Sequence, residues 1–382
     1  MRLSPVFAAQ RSYPFVRLGE RRAQALARGV DVIDFGVGEP REETPAFIRR
    51  ALAEAVEAAP VSTYPLAVGL PETRAAIAAW VARRFGARLD PEAEVVPTLG
   101  SKEAIFSLAQ VVAGPGGVVA VPSPGYPVAE RGALFAGAEV VAAPLLAVRG
   151  WLPDLDALPL ERLSLLWCNY PNNPTGARAP LEWLERAAAL AREHDFVLAC
   201  DEAYSELWFD GGPPDSALQL PDRANVVVLN TLSKRSSIPG YRAGFAAGDE
   251  RVVAALKRYR PSVGTAPQEF VQRAAIAAWG DEAHVEEVRA RYRAKRDVLL
   301  PALLGLGLEQ AGGDASFFLW LRAAGSEPLD DEAFAERLLA ERGIVVTPGS
   351  YLGAGGEGHV RVALVPTVER CAQAAARLAG TA

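Results

Sequence analysis

Between residues 95 and 247 the chain alternates short apolar runs with amphipathic stretches. The runs Val95–Thr98, 118–121, 139–143, Leu163–Asn169, Val197–Asp201, 226–229 and 245–247 predict seven strands. The stretches 101–113, Leu181–Glu193 and 251–259 carry apolar residues at helical spacing between them, with turn residues at each junction. Strand–helix alternation of this kind predicts an α/β fold: a large domain with a mostly parallel seven-stranded sheet covered by helices. The flanks differ. Residues 1–40 hold a short helical segment and then the run Phe35-Gly36-Val37-Gly38-Glu39-Pro40. A long Arg-rich helix is expected over 281–300, kinked or ended by Pro301. Beyond it, 316–322, 343–347 and 359–365 alternate like strands, with helices near Asp331–Arg342 and 367–378. These pieces predict a smaller α+β domain built from residues 1–40 and 286–382, with the large domain over 41–285.

Composition narrows the function. The chain has 382 residues, half of them hydrophobic, which excludes a disordered or collagen-like protein. Its net charge of −6 argues against a partner held by a broad basic surface, so no nucleic acid is expected. No apolar run is long enough for a membrane helix, and the N-terminal arginines lack a signal-type apolar region. Cys168, Cys200 and Cys371 read as buried thiols of a reducing cytoplasm, and three scattered histidines predict no metal site. Only four of the forty basic residues are lysine: Lys102, Lys234, Lys257 and Lys295. Amine chemistry therefore has four candidates.

In sheets of this kind ligands bind beyond the carboxyl ends of the strands, and the polar clusters of the chain fall there. Lys234 follows the 226–229 run, where partial desolvation makes an amine nucleophilic. Thr231, Ser233 and Arg242 beside it suit a phosphate. Asn173 lies in the turn Asn169–Gly176, and Asp201 closes a strand where a buried carboxylate requires a cation, such as a protonated heterocyclic nitrogen. Gly100, Ser101 and Lys102 open a helix whose free N–H groups favour an anion, without Walker spacing. An alternative reading makes Ser101 an ordinary helix cap. Tyr126 in Pro122–Pro127 offers a flat face for stacking, and the glycines of 353–358 read as a mobile surface loop. Each of these, taken alone, fits an ordinary turn or salt bridge as well. Together they describe a receptor for a planar, phosphorylated, aldehyde-bearing pyridine: pyridoxal 5′-phosphate.

The order and spacing of these pieces resemble fold-type I, class I/II pyridoxal-phosphate aminotransferases over essentially the whole chain. The resemblance rests on Ser233-Lys234, Gly240-Tyr241-Arg242-Ala243-Gly244, Pro171–Gly176 and Asp201–Tyr204. It implies that Lys234 bonds to the cofactor aldehyde and moves the proton, and that Asp201 pairs with the ring nitrogen. It implies further that Asn173 and Tyr204 hold the ring oxygen, Tyr126 stacks on the ring, and Gly100, Ser101, Lys102, Thr231 and Arg242 surround the phosphate. Arg361 matches the arginine that grips the substrate carboxylate. Val37-Gly38 matches the segment that closes over substrate, and Tyr64 the tyrosine that reaches a partner's phosphate in a homodimer with shared sites. Lys102, Arg235 and the run Arg260-Pro261-Ser262-Val263-Gly264 resemble the N-succinyldiaminopimelate aminotransferases of lysine biosynthesis, which use an oxo-acid acceptor such as 2-oxoglutarate. An aspartate- or aromatic-type aminotransferase and a β-lyase for cysteine S-conjugates are the enzymatic alternatives. A cofactor-binding regulator is the non-enzymatic one, although residues 1–40 are too few for a DNA-binding domain.

Overall fold

The computed structural model of the chain describes residues 1–9, 14–59, 63–325 and 327–380. Its strands are β1 Ile33–Asp34, β2 Val95–Thr98, β3 Val118–Ser123, β4 Glu139–Pro144, β5 Leu163–Asn169, β6 Val197–Asp201 and β7 Val226–Thr231. There follow β8 Gly244–Gly248, β9 Leu308–Gln310, β10 Phe318–Ala323, β11 Ile344–Val345, β12 Thr347–Pro348 and β13 His359–Ala363. The seven strands expected from the apolar runs form one sheet in the order β2-β8-β7-β6-β5-β3-β4. All its pairings are parallel except those of β8 with β7 and β2.

The central strands are buried on both faces, which is why they read as continuous apolar runs. Along β7, Val226 and Val228 enter one core while Val227 and Leu229 enter another. Along β5, Leu166 and Cys168 face the first core, Leu165 and Trp167 the second. Helices Pro71–Phe85, Leu181–Glu193 and Glu269–Gly280 close the first core, where Trp80, Trp279 and Phe245 meet with ring centroids 4.7–6.0 Å apart. Helices Ser101–Val112, Val128–Phe135 and Glu250–Tyr259 close the second.

The smaller domain has a four-stranded antiparallel sheet in the order β12-β13-β10-β9, and a parallel pair of β1 with β11. Three expectations change here. The single strand expected over 343–347 is two, because Ile344–Val345 pairs with β1 while Thr347 pairs with Arg361 of β13. The long helix runs Ala283–Leu304, past Pro301. Proline removes only its own donor, Leu299 and Leu303 stay buried one turn apart, and Gly305 N–H donates to the Pro301 carbonyl at 3.0 Å. The N-terminal flank holds two helices, Pro5–Ala9 and Pro14–Ala27, where one was expected.

Cys168 and Cys200, distant in sequence, are register partners on β5 and β6 with sulfurs 3.2 Å apart. All three cysteines are buried and free. The 353–358 segment lies mostly at the surface, as expected, with Ser123 Oγ donating to the Ala354 carbonyl and Gly125 N–H to that of Leu352 just before it.

Candidate active site

Register brings the strand ends together. Asn169 stands opposite Asp201, Asp201 opposite Leu229, and Thr231 opposite Gly244. Beyond these ends lies a cavity of about 360 Å³, within the range of small-molecule sites. Lys234, Asp201, Asn173, Tyr204, Tyr126, Thr231, Ser101, Lys102, Arg242, Gly38 and Arg361 all line it. Gly100, next to Ser101, and Tyr64 are not among the lining residues, and Tyr64 is fully exposed. The lining also holds Glu39, Asn169, Ser233, Pro239 and Phe318.

Lys234 sits in a four-residue helix, Leu232–Arg235, capped by Thr231. Its ammonium donates to the Gly38 carbonyl at 2.8 Å and lies 5.5 Å from the Phe317 ring centroid. Burial, resisted by Glu39, lowers its pKa to about 8. Asp201 is buried, accepts from Ala203 N–H at 3.3 Å, and is pushed up to about 7 by burial against the pull of that bond and of Lys234. Lys234 offsets the burial of this carboxylate only in part, so a further cation is needed to keep it ionised. Asn169 Nδ2 donates to the Asp201 carbonyl at 2.8 Å, and its Oδ1 accepts from Asn173 N–H at 2.9 Å. That fixes the Asn173 backbone, and the Asn173 side-chain Oδ1 accepts from Arg361 Nη1 at 2.9 Å. Arg361 is buried, donates to the Gly36 carbonyl at 2.7 Å and lies over the Phe318 ring at 4.5 Å. Burial holds the Tyr204 hydroxyl well above the usual phenol range, so it stays a neutral donor.

On the opposite side, Gly100 is the N-cap of Ser101–Val112 at φ 69°, which settles the alternative: Ser101 is the first helical residue. A Cβ at Gly100 would stand 2.9 Å from Arg242 Nη2. Arg242 itself adopts φ 56° and donates to the carbonyls of Pro239 and Leu99, each at 2.9 Å. The helix start, the Arg242 guanidinium and the hydroxyls of Ser101, Thr231 and Ser233 gather on this side of the cavity, where N–H groups and a cation favour an anion. Lys102 stands 6.0 Å from the Tyr126 ring centroid, its pKa lowered first by burial and then by Arg242 and Arg131.

Amine, buried carboxylate in need of a further cation, aromatic plate, anion cradle and fixed guanidinium surround one cavity. The residue profile of "Aminotransferase class I and II" matches residues 30–378. The chain belongs to this family. It is accordingly a pyridoxal-phosphate-dependent transaminase, and the lyase and regulator alternatives are not favoured. The site fits the cofactor: Asp201 needs a cation of the kind a pyridinium provides, and the Gly100 cradle leaves room where a side chain would intrude.

An LL-diaminopimelate aminotransferase of Nostoc sp. is 38% identical over 372 residues, covering 96% of this chain and 95% of the relative. A mutant aspartate aminotransferase of Thermus thermophilus shares the fold at TM-score 0.91 with 32% identity, covering 100% of both chains. A Thermus thermophilus structure described as a probable N-succinyldiaminopimelate aminotransferase superposes at TM-score 0.86 with 32% identity, covering 97% of this chain and 100% of that one. Among the described residues, no helix is long and apolar enough to cross a membrane, and no cluster of His, Cys, Asp and Glu could hold a metal.

Sequence reasoning assigned no role to Asn169, Glu39 or Phe318. Asn169 stood inside a quoted motif. The ring under Arg361 reads as core in a strand of Phe and Leu, so nothing in the sequence marks it.

Proposed function

We propose that Lys234 is the reactive amine of this aminotransferase and that a diaminopimelate, free or N-succinylated, is its amino donor, with a 2-oxo acid such as 2-oxoglutarate as acceptor. The observation that carries the first part is Lys234 Nζ, depressed to about 8, in one cavity with Asp201 and Arg361. Near neutral pH an appreciable fraction of such an amine is unprotonated and able to accept the α-proton of a bound amino acid. Arg361, fixed by Asn173 and Gly36, presents a guanidinium suited to bidentate hold of the substrate carboxylate. In this proposal Asp201 keeps the ring nitrogen protonated. Tyr204 and Asn173 stand ready for the ring oxygen, Tyr126 for the ring face, and Gly100, Ser101, Lys102, Thr231 and Arg242 for the phosphate. The bound cofactor supplies the electron sink that takes up the charge left as the proton departs.

The donor assignment draws on the names of the relatives, which include both diaminopimelate forms. It agrees with the lysine-biosynthetic role expected from the sequence. The loaded protein, offered LL-diaminopimelate, its N-succinyl form, aspartate and phenylalanine one at a time, tests it by the absorbance change as the cofactor takes up the amino group. Fastest conversion by aspartate or phenylalanine would remove the assignment.

The active unit in this proposal is a homodimer with shared sites. Tyr64, Leu66 and Val263 are exposed, and Arg260 joins their segments by donating to the Ala67 carbonyl. Beside Val263 opens a cavity lined by Leu99, Phe106 and Arg242, on the phosphate side of the site. A partner's Tyr64 would complete that side. Hybrids of Lys234→Ala with Tyr64→Ala subunits should regain about half the activity per dimer, because one site is then intact. Verified hybrids without recovery would exclude sharing. The proposal also includes the boundaries 41–285 and 1–40 with 286–382, supported by the separate core around Phe318, Leu338 and Val362. Limited proteolysis that cuts first elsewhere than near 40 and 286 would move them. A cytoplasmic location, supported by the three free buried thiols, is testable by cell fractionation.

A further inference from the structure

A helix of four residues does not hold itself, so the position of Lys234 depends on what fixes the two ends of Leu232–Arg235. At the first end, Thr231 Oγ1 accepts from Ser233 N–H at 3.1 Å and lies 3.0 Å from the Ala243 carbonyl. The second end is fixed from far along the chain. The buried Arg235 guanidinium donates to the Ala278 carbonyl at 2.7 Å, the Asp281 carbonyl at 3.1 Å and the Glu282 carboxylate at 2.6 Å. The rings of Trp80 and Trp279 lie 5.4 and 5.2 Å from it.

Next in sequence, Ser236 Oγ lies 2.9 Å from His284 Nε2, and His284 Nδ1 lies 2.6 Å from Asp281 Oδ1. Asp281 Oδ1 also accepts from the His284 backbone N–H at 3.0 Å. Hydroxyl, imidazole and carboxylate in line are the arrangement that activates a serine nucleophile. Here Ser236 has no exposed surface, so no substrate reaches its hydroxyl, and the hydrogen bonds act on placement alone. Burial, opposed by the Asp281 bond, holds the imidazole below its ordinary pKa and therefore neutral near pH 7. The carboxylate then selects the Nδ1–H tautomer, and Nε2 accepts from the Ser236 hydroxyl. Asp281, Arg235 and Glu282 are the charged groups acting on the ring, and Phe47 packs edge-on at 5.3 Å.

We propose that His284 is a positioning residue for Lys234: oriented by Asp281, it pins Ser236, and with it the end of the lysine-bearing helix, to the start of Ala283–Leu304. The same long helix reaches the other side of the amine. Its buried Lys295 pairs with Glu42, four residues beyond the Gly38 carbonyl that Lys234 meets. One rigid element thus sets both the lysine and the segment it faces. The proposal rests on Lys234 being the reactive amine.

The test measures, in the cofactor-free protein, acetylation of Lys234 against pH by mass spectrometry, and in the loaded protein kcat and KM separately. In His284→Ala the loosened helix exposes the amine, so the labelling midpoint should rise by about half a pH unit or more toward the ordinary lysine value. In the same variant kcat should fall about tenfold while KM changes less than about threefold. His284→Gln, whose amide can accept from Ser236 and donate to Asp281, should restore both. Ser236→Ala should match His284→Ala, and the double variant should be no worse than either, because one connection is cut in each case. If His284→Ala does not fold, Ser236→Ala decides alone. An unchanged midpoint and kcat in folded variants overturns the proposal, as does lowered thermal stability with an unchanged midpoint, or additivity in the double variant. Failure of the reading beneath it looks different: in the wild type, borohydride would then fix the cofactor on a lysine other than Lys234.

Discussion

Replacing Asp201 by asparagine should make the cofactor-free protein more stable and the loaded one less active. Burial raises the Asp201 carboxyl from 3.8 to about 7, so ionising it inside the folded protein costs about 4 kcal/mol. Below about pH 4 the group is protonated whether the chain is folded or not, and the cost is absent. Between pH 4 and 7 the unfolded chain ionises while the folded one resists, so the penalty grows with pH and is complete above 7. The amide that replaces the carboxyl keeps an oxygen for the Ala203 N–H and carries no charge, so the penalty disappears. With an unfolding entropy of about 2.1 cal/mol/K per residue and 382 residues, 4 kcal/mol corresponds to about 5 °C in Tm. Scanning calorimetry of the cofactor-free proteins should find Asp201→Asn ahead by about 2 °C at pH 5 and about 5 °C at pH 8. Adding cofactor should narrow or reverse that order, because the wild-type carboxylate then gains its cation. A variant no more stable than wild type at pH 8 without cofactor would refute the account of Asp201 as a charge waiting for a partner.

Borohydride reduction of the loaded protein should attach the cofactor to Lys234 and to none of Lys102, Lys257 or Lys295, and Lys234→Ala should keep cofactor non-covalently while losing turnover. Acetylation of Lys234 in the cofactor-free protein should rise steeply between about pH 7 and 9, since the free amine appears above its depressed pKa of about 8; a midpoint near 10.5 would show that burial does not act on it. Gly100→Ala puts a methyl group 2.9 Å from Arg242 at a positive φ and should weaken cofactor binding about tenfold, read by titration. Arg361→Lys cannot reproduce the bonds to Asn173 and Gly36 at once and should raise KM for the amino donor about tenfold or more, with a smaller effect on cofactor affinity.

The central strands of the large sheet were legible because they are apolar on both faces and end in turn chemistry, so the apolar runs and the motifs marked the same boundaries. The split at 343–347 was not, since Ile344, Val345, Val346 and Thr347 are all buried and only a change of pairing partner separates the two strands. Pro301 misled because a proline near a helix end removes one bond while Leu303 still gains a buried contact. Most of the site was readable from strand ends. Phe318 and the bond from Thr347 to the Gly36 carbonyl were not, because a core-like aromatic and a strand threonine carry no local mark of what they meet across the fold. The Ser236–His284 contact, 48 residues apart, is of the same kind.

The cavity's dependence on β13 ties it to residues far apart in the chain. Lys234 meets a carbonyl 196 residues earlier in the chain, and Arg361 one 325 residues earlier. Ala363 N–H donates to the Phe35 carbonyl at 2.8 Å, so the segment carrying Gly36 and Gly38 is braced by a strand translated long after the large sheet. A chain cut short before residue 359 would lack both Arg361 and that brace, whatever the state of the large sheet.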